Sequence, residues 1–376
     1  MIVLDTNQLE HVAFPHGAVL GMLRKIAELQ QQSLAIPEMV VVEHVAHYRH
    51  RLEQALTTAR KALAALNKAF HQDLSSHIEE LSVEAAVEKQ YAALRGIFTI
   101  LPTPPGAAEE ALRREANRIA PAEQVWEVGN GKPIKARGAR DVTIWLTLLQ
   151  CARSTDIPVW FVSQDGDFGK EDFHAVLREE AERELGSDAG RLRLLHGGID
   201  QLLRELAEPA QKPAALAMML EGSVVAHAAH IALTEADVFA RLLPRLPRDP
   251  NYAAIPYGSV ALGSHDVKRT ETYQVGDSLW VSAQLRWQAA ANFERFMQPS
   301  APRPTTPGIE FKFDATVLLE IENREARSAE VVSLGPFTDL AVKDGLDDRD
   351  GPWAMATWWV PRRPDEVSYP YRGVPG

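Results

Sequence analysis

"MIVLDTNQLE", residues 1–10, sets three apolar residues, Ile2, Val3 and Leu4, directly before a carboxylate, Asp5, and two small polar residues, Thr6 and Asn7. An apolar run without alternation reads as a short strand buried on both faces, as in parallel sheets. Asp5 then stands at the carboxyl end of that strand. Two readings compete there: the aspartate caps a turn or the next helix, or it delivers charge to a site at the strand end. The choice depends on what other segments bring to the same place.

Moving outward, residues 18–31 read as a helix and Leu34–Ile36 as a second short strand, followed by Pro37 in the favoured first-turn position of a long helix. Strand, helix, strand, helix predicts a parallel, layered α/β sheet. The long helix continues, because Leu52, Leu56, Ala59, Leu63, Leu66 and Phe70 alternate spacings of four and three. Val87, Tyr91, Leu94 and Phe98 repeat the pattern after "HQDLSSH" at 71–77. This predicts a helical hairpin inserted at about residues 50–131, its seam being mutual packing. "LPTPPG" at 101–106 ends it, and the Gly-rich "EVGNGKPIKARGAR" at 127–140 leads into the next helix.

The α/β pattern then returns. Residues 141–153 read as a helix, 158–163 ("PVWFVS") as a strand, 172–185 as a helix, 191–195 as a strand, and a last helix ends near Ala207. Residues 209–214 read as a linker between a domain spanning 1–208 and a smaller β-rich α+β domain spanning 215–376. In the latter, "TYQVGDSLWVSAQLRW" predicts two strands about a Val-Gly-Asp turn, and "GIEFKFDATVLLEIE" predicts a half-buried strand. The capping-box-like Thr234-Glu-Ala-Asp predicts a helix start, although Asp replaces the usual Glu or Gln. No motif in this second half points to a function.

The 376 residues, 45% hydrophobic and 24% charged, describe an ordinary globular chain. No apolar run long enough for a bilayer and no basic, cleavable leader is expected, so the expected location is the cytoplasm, with no membrane partner. A single cysteine, Cys151, excludes an internal disulfide and a cage of several thiolates, so a metal must be held mainly by oxygen or histidine. The net charge of -11 is shared, with 24 basic against 30 acidic residues in 1–214 and 16 against 21 in 215–376. Neither half is a basic nucleic-acid module, yet a local basic patch beside a carboxylate cluster would still serve a nucleic-acid enzyme.

Further acids stand beside Asp5. Glu43 lies six residues beyond Pro37 on a partly apolar helix face; a solvated face is the competing reading. The neighbouring His44, His47 and His50 are spread around the helix exterior and do not read as a metal site. Asp141 heads the stripe Ile144, Trp145, Leu148 and Leu149, where it is either a first-turn acid favouring the helix dipole or a buried carboxylate that needs a counter-charge. In "FVSQDGDF", Asp165 and Asp167 follow the strand end, where a local Asx turn would account for one of them. Carboxylates from four segments repel one another unless a divalent cation sits among them. An all-oxygen site suits Mg²⁺ or Mn²⁺, and the chemistry that follows is phosphodiester hydrolysis. Lys132, Lys135, Arg137 and Arg140, in a stretch without acids just before Asp141, read either as a solvated loop or as a phosphate clamp.

Asp5 in "VLDTN", Glu43 in "IPEMVVVEH", Asp141 in "ARDVTIWL" and Asp165 with Asp167 in "FVSQDGDF" together resemble the ordered acidic motifs of PIN-domain ribonucleases. The resemblance implies a three-layer α/β/α PIN-like domain with a central parallel sheet, here carrying the helical-hairpin insertion, and metal-dependent cleavage of single-stranded RNA. It implies that Asp5, Glu43, Asp141 and Asp165 coordinate the metal, that Asp167 assists, and that Ser163 orients the site while Thr6 and Asn7 hydrogen-bond the loop that aims Asp5; Ser163 and Asn7 are also candidate substrate contacts. The insertion departs from compact family members and bears on the substrate path. The competing class is a noncatalytic PIN-like module that binds RNA or protein, with residues 215–376 serving a homo-oligomer or a protein partner. A dehalogenase-type phosphatase would need a second aspartate at position 7, which is Asn.

Overall fold

The computed structural model describes residues 1–10, 12, 14–15, 17–70, 81–122, 138–236, 238–242, 253–256, 260–296 and 307–344. Its first sheet is built from short apolar strands: β1 (Ile2–Leu4), β2 (Leu34–Pro37), β3 (Thr99–Leu101), β4 (Val159–Val162) and β5 (Leu192–Leu195), in the order β3-β2-β1-β4-β5. The pairings are all parallel, with Ile2 beside Leu34 on one side and Trp160 on the other. Every residue of β1 and β2 is buried, which is why these strands are continuous apolar runs.

The chain leaves β1 towards β2 on one side and returns to β4 on the other, so the carboxyl ends of β1 and β4 flank the point where strand order reverses. Asp5 N donates to Val162 O at 3.1 Å, which draws residue 5 against the end of β4.

Helices cover both faces. They are α1 (Thr6–Leu9), α2 (Ala18–Leu29), α3 (Glu38–Phe70), α4 (Val83–Ile97), α5 (Ala107–Asn117), α6 (Ala139–Ser154), α7 (Ala175–Leu185) and α8 (Gly198–Leu206). α2 and α8 meet where Gln30 Nε2 donates to Leu206 O at 2.7 Å, while α6 packs between α3 and α7. The result is the expected three-layer α/β/α arrangement. α3 runs 33 residues and pairs with α4, forming the expected hairpin.

Several expectations need correction. The insertion does not extend over 50–131: Thr99–Leu101 is an edge strand of the central sheet, and α5 packs on α6. Pro37 ends β2 rather than opening α3. Thr234 lies in the last turn of a helix, not at the start of one, and its Oγ1 donates to His230 O at 3.0 Å. Residues 216–234 are long and apolar enough, by length and composition, to cross a membrane, with 39% of the stretch buried, contrary to the absence expected; here they form α9 (Leu216–Leu220) and α10 (Ser223–Glu235), interrupted at Glu221 and Gly222. A further short helix, α11 (Val238–Leu242), follows.

The β-rich region contains β6 (Glu208–Pro209), β7 (Ala253–Pro256), β8 (Ala261–Val275), β9 (Ser278–Phe296), β10 (Pro307–Glu322), β11 (Glu325–Leu334) and β12 (Thr338–Asp344). The order is β11-β10-β9-β8-β6, with β12 on β10 and β7 on β9, and β6, β7 and β12 pair antiparallel to their neighbours. The expected Val-Gly-Asp turn joins β8 to β9.

The chain does not divide at 209–214. One compact unit takes residues 1–229 with 269–284 and 316–333, and the other takes 230–268, 285–315 and 334–376. The physical reason is that Tyr273, Val275, Trp280, Leu318 and Val332 are buried in the same apolar cluster as Ile2, Leu4 and Leu203. Asp200 on α8 also accepts a hydrogen bond from Ser282 Oγ, and Arg204 lies 3.2 Å from Glu271. Pro209, taken as the start of a linker, is itself paired with Tyr273 in β6.

Candidate functional site

Asp5 caps the helix that follows it, as the first of the two readings expected. It is the N-cap of α1, with Oδ1 accepting from Thr6 N at 2.7 Å. Its other oxygen accepts from Ser163 Oγ at 2.5 Å and from Asn7 Nδ2 at 3.0 Å. The group is 4% exposed, and burial, the largest influence, pushes its pKa up to about 6 against the opposing hydrogen bonds from Ser163 and Thr6; Asp165 and Glu43 add further repulsion. A carboxylate held by three donors yet denied water has one defined orientation and an unmet demand for positive charge.

The loop after β4 is pinned as tightly. Ser163 is fully buried, and its Oγ accepts from Asp165 N at 3.0 Å. Asp165 Oδ1 accepts from Asp167 N at 2.9 Å, so the expected Asx turn is present. Phe168 is buried edge-on against Phe161, with ring centroids 4.9 Å apart. Gly169 adopts φ +145°, and a Cβ there would stand 2.0 Å from Asp172 O, so only glycine fits. Asn7 Oδ1 accepts from Gln164 N at 3.3 Å and its Nδ2 also reaches Ser163 Oγ at 3.3 Å. The polar atoms of Asn7 and Ser163 are thus engaged with Asp5 and this loop.

Asp141 lies in the first turn of α6 and is half-buried. Burial first, then the charges of Asp165, Asp5, Asp167 and Glu43, push its pKa up to about 7. The structure thus brings the five expected acids into one electrostatic neighbourhood, although they come from α3, the first turn of α6 and the ends of β1 and β4. Glu43 sits on α3 with Oε2 accepting from Thr6 Oγ1 at 2.8 Å and Oε1 paired with Arg140. Thr6 therefore aims Glu43 rather than the loop, and Arg140 meets a carboxylate. Lys132, Lys135 and Arg137 lie outside the described residues.

Sequence reading missed what seats α6. Its N-cap, Gly138, has φ +147°, and a Cβ there would stand 2.6 Å from Ala122 Cα. In place of a side-chain cap, Glu115 Oε2 on α5 accepts from Ala139 N at 2.8 Å. Further along α6, Trp145 Nε1 donates to Glu180 Oε2 at 2.8 Å, and Glu180 also receives Arg114 Nη1 at 2.9 Å. A carboxylate followed 24 residues later by a glycine-led helix start is no recognisable motif, and α5 itself was not expected.

The histidines also need correction. His44 is 3% exposed rather than exterior, faces Phe14 edge-on and has Nε2 3.1 Å from Gln90 Nε2; burial lowers its pKa to about 4. His47 pairs with Glu10 at 2.7 Å and His50 meets Gln54 at 2.8 Å, both on the exterior as expected.

Among the described residues, no group of three or more His, Cys, Asp or Glu side chains is drawn together closely enough to hold a metal ion. The donors nevertheless suit one chemically. They are all oxygens, they are partly desolvated, and their mutual repulsion is what a divalent cation relieves.

Asp5 and Asp165 thus stand at the carboxyl ends of neighbouring parallel strands, beside the point where strand order reverses, which is where open α/β sheets bind ligands. Residues 2–168 match the family model described as PIN domain. No curated protein and no solved structure matches the chain.

Proposed function

We propose that the protein is a divalent-metal-dependent endoribonuclease that hydrolyses phosphodiester bonds of single-stranded RNA. The observation that supports it most is the convergence on Asp141: burial first, and then four other carboxylates from three other segments, raise its proton affinity. Mg²⁺ or Mn²⁺ among these acids would lower the pKa of a water and neutralise charge on the phosphate. In this reading Asp5, Glu43, Asp141 and Asp165 are the metal-holding acids and Asp167 assists them. Asp5 is the fixed member, because three donors set its orientation. Thr6 aims Glu43, and the Asx turn fixes Asp165 relative to the end of β4. Ser163 and Asn7 position Asp5, and Lys132, Lys135 and Arg137 would hold substrate phosphates.

The second reading, a noncatalytic module that binds RNA or protein, has one observation in its favour: the described acids are not closed into a coordinating cage. Incubating the protein with single-stranded RNA, structured RNA and single-stranded DNA, each with Mn²⁺, Mg²⁺ or EDTA, separates the two. The nuclease reading requires EDTA-sensitive cleavage of single-stranded RNA that Asp5→Asn and Asp141→Asn abolish; RNA retained uncut under all conditions supports the binding module instead.

A further inference from the structure

Arg140 precedes Asp141 in the first turn of α6, yet its guanidinium turns to Glu43, Nη1 against Oε1. Since Thr6 Oγ1 occupies Oε2, both oxygens of Glu43 already face protein donors. The Glu43 side chain is 15% exposed and that of Arg140 is 52% exposed, so the guanidinium reaches in from solvent to a carboxylate that is largely covered. Arg140 is thus a monovalent counter-cation on one member of a mutually repelling group.

We propose that Arg140 is an exchange residue. In the metal-free protein it neutralises Glu43; when a divalent cation is held by the acids, it leaves Glu43 and turns to a phosphate of the incoming RNA. This rests on the metal-dependent reading above. An ion pair with one exposed partner is weak, whereas a divalent cation brings twice the charge to the same oxygen. The planar guanidinium matches phosphate as well as carboxylate, so the released side chain keeps a partner. Half-exposed, it can swing without disturbing the core.

Competition and clamping give opposite signs for the two ligands. Removing Arg140 frees Glu43 for the cation and removes a contact to RNA. A purely structural role would weaken both, and a plain phosphate clamp would leave cation affinity unchanged.

The test is Mn²⁺ titration of the full chain by calorimetry, without RNA, for the wild type, Arg140→Ala and Arg153→Ala. Arg153 lies in the last turn of the same helix and pairs with Glu184, so its loss removes an equal charge away from Glu43. Arg140→Ala should bind Mn²⁺ roughly two- to fivefold more tightly, Arg153→Ala should match the wild type, and KM for RNA should rise in Arg140→Ala alone. Mn²⁺ affinity unchanged or reduced in Arg140→Ala, with the wild type binding normally, overturns the exchange and leaves the metal site standing. Absence of Mn²⁺ binding in all three proteins overturns the metal site and the exchange together.

Discussion

The ends of β1 and β4 and the strand β10 both carry aspartates, and they treat them in opposite ways. In β10, Ile309, Phe311, Phe313 and Ala315 are buried while Lys312 and Asp314 alternate outward. Asp314 meets Arg286 at 2.8 Å and 3.0 Å, and that pairing holds its carboxyl below the usual range. Asp5, buried, and Asp141, half-buried, instead stand among like charges, and their carboxyls lie well above it. A strand of period two can send every charge to solvent. Strand ends at a switch point in a parallel sheet face one another, so charge placed there stays in conflict until a ligand resolves it. Perturbed carboxyls of this kind cluster at functional sites, which is why the strand ends, and not β10, carry the proposed function.

Breaking the strand-end cluster should have the largest effect. Asp5→Asn or Asp141→Asn should lower Mn²⁺-dependent cleavage of single-stranded RNA by roughly a hundredfold or more, read by single-turnover assay. Asp314→Asn should leave it unchanged.

Next in size is the shared core. Trp280 is 2% exposed within the cluster that includes Ile2 and Leu203. Trp280→Ala should cost about 3–5 kcal/mol in chemical denaturation. A chain ending at Ala210 should lack a cooperative thermal transition, because Tyr273, Val275, Trp280, Leu318 and Val332 would be missing from that core.

The metal-free protein should also show the conflict in its pH dependence. Asp141, at about 7 when folded against an ordinary 3.8, contributes stability that is fully present below about pH 4 and is progressively lost as pH rises through 7. Asparagine cannot ionise, so Asp141→Asn should exceed the wild type by on the order of a few kcal/mol at pH 8, with the gap closing by pH 4. Taking the difference between two proteins removes the opposing pull of buried His44, which is common to both. The smallest effect belongs to the other half of the comparison: Arg286→Ala, with both partners exposed, should leave the denaturation midpoint almost unchanged.

The placement of the candidate acids was legible because they follow or head apolar runs that can only be buried: Asp5 after Ile2–Leu4, Asp165 just past the end of β4, Asp141 leading Trp145 and Leu148. The edge strand β3 was not, since three residues with Thr99 exposed give no periodicity to read. α5 buries only Ala107, Ala111 and Arg114, so its inward stripe carries almost no hydrophobic signal. The unit boundary was misplaced because Pro-rich composition at 209–214 is local, whereas Tyr273 and Leu318 join the first core from afar. His44 looked like one more exterior histidine until α4 closed over it.

The central claim, that the strand-end acids conflict because they are built for a divalent cation, is tested most directly by melting the metal-free wild type and Asp141→Asn at pH 8 and repeating both with Mn²⁺. The account predicts that Asp141→Asn melts at or above the wild type without metal, and that Mn²⁺ raises the wild type markedly and the variant little. A metal-free Asp141→Asn that melts below the wild type, or a wild type indifferent to Mn²⁺, would contradict it.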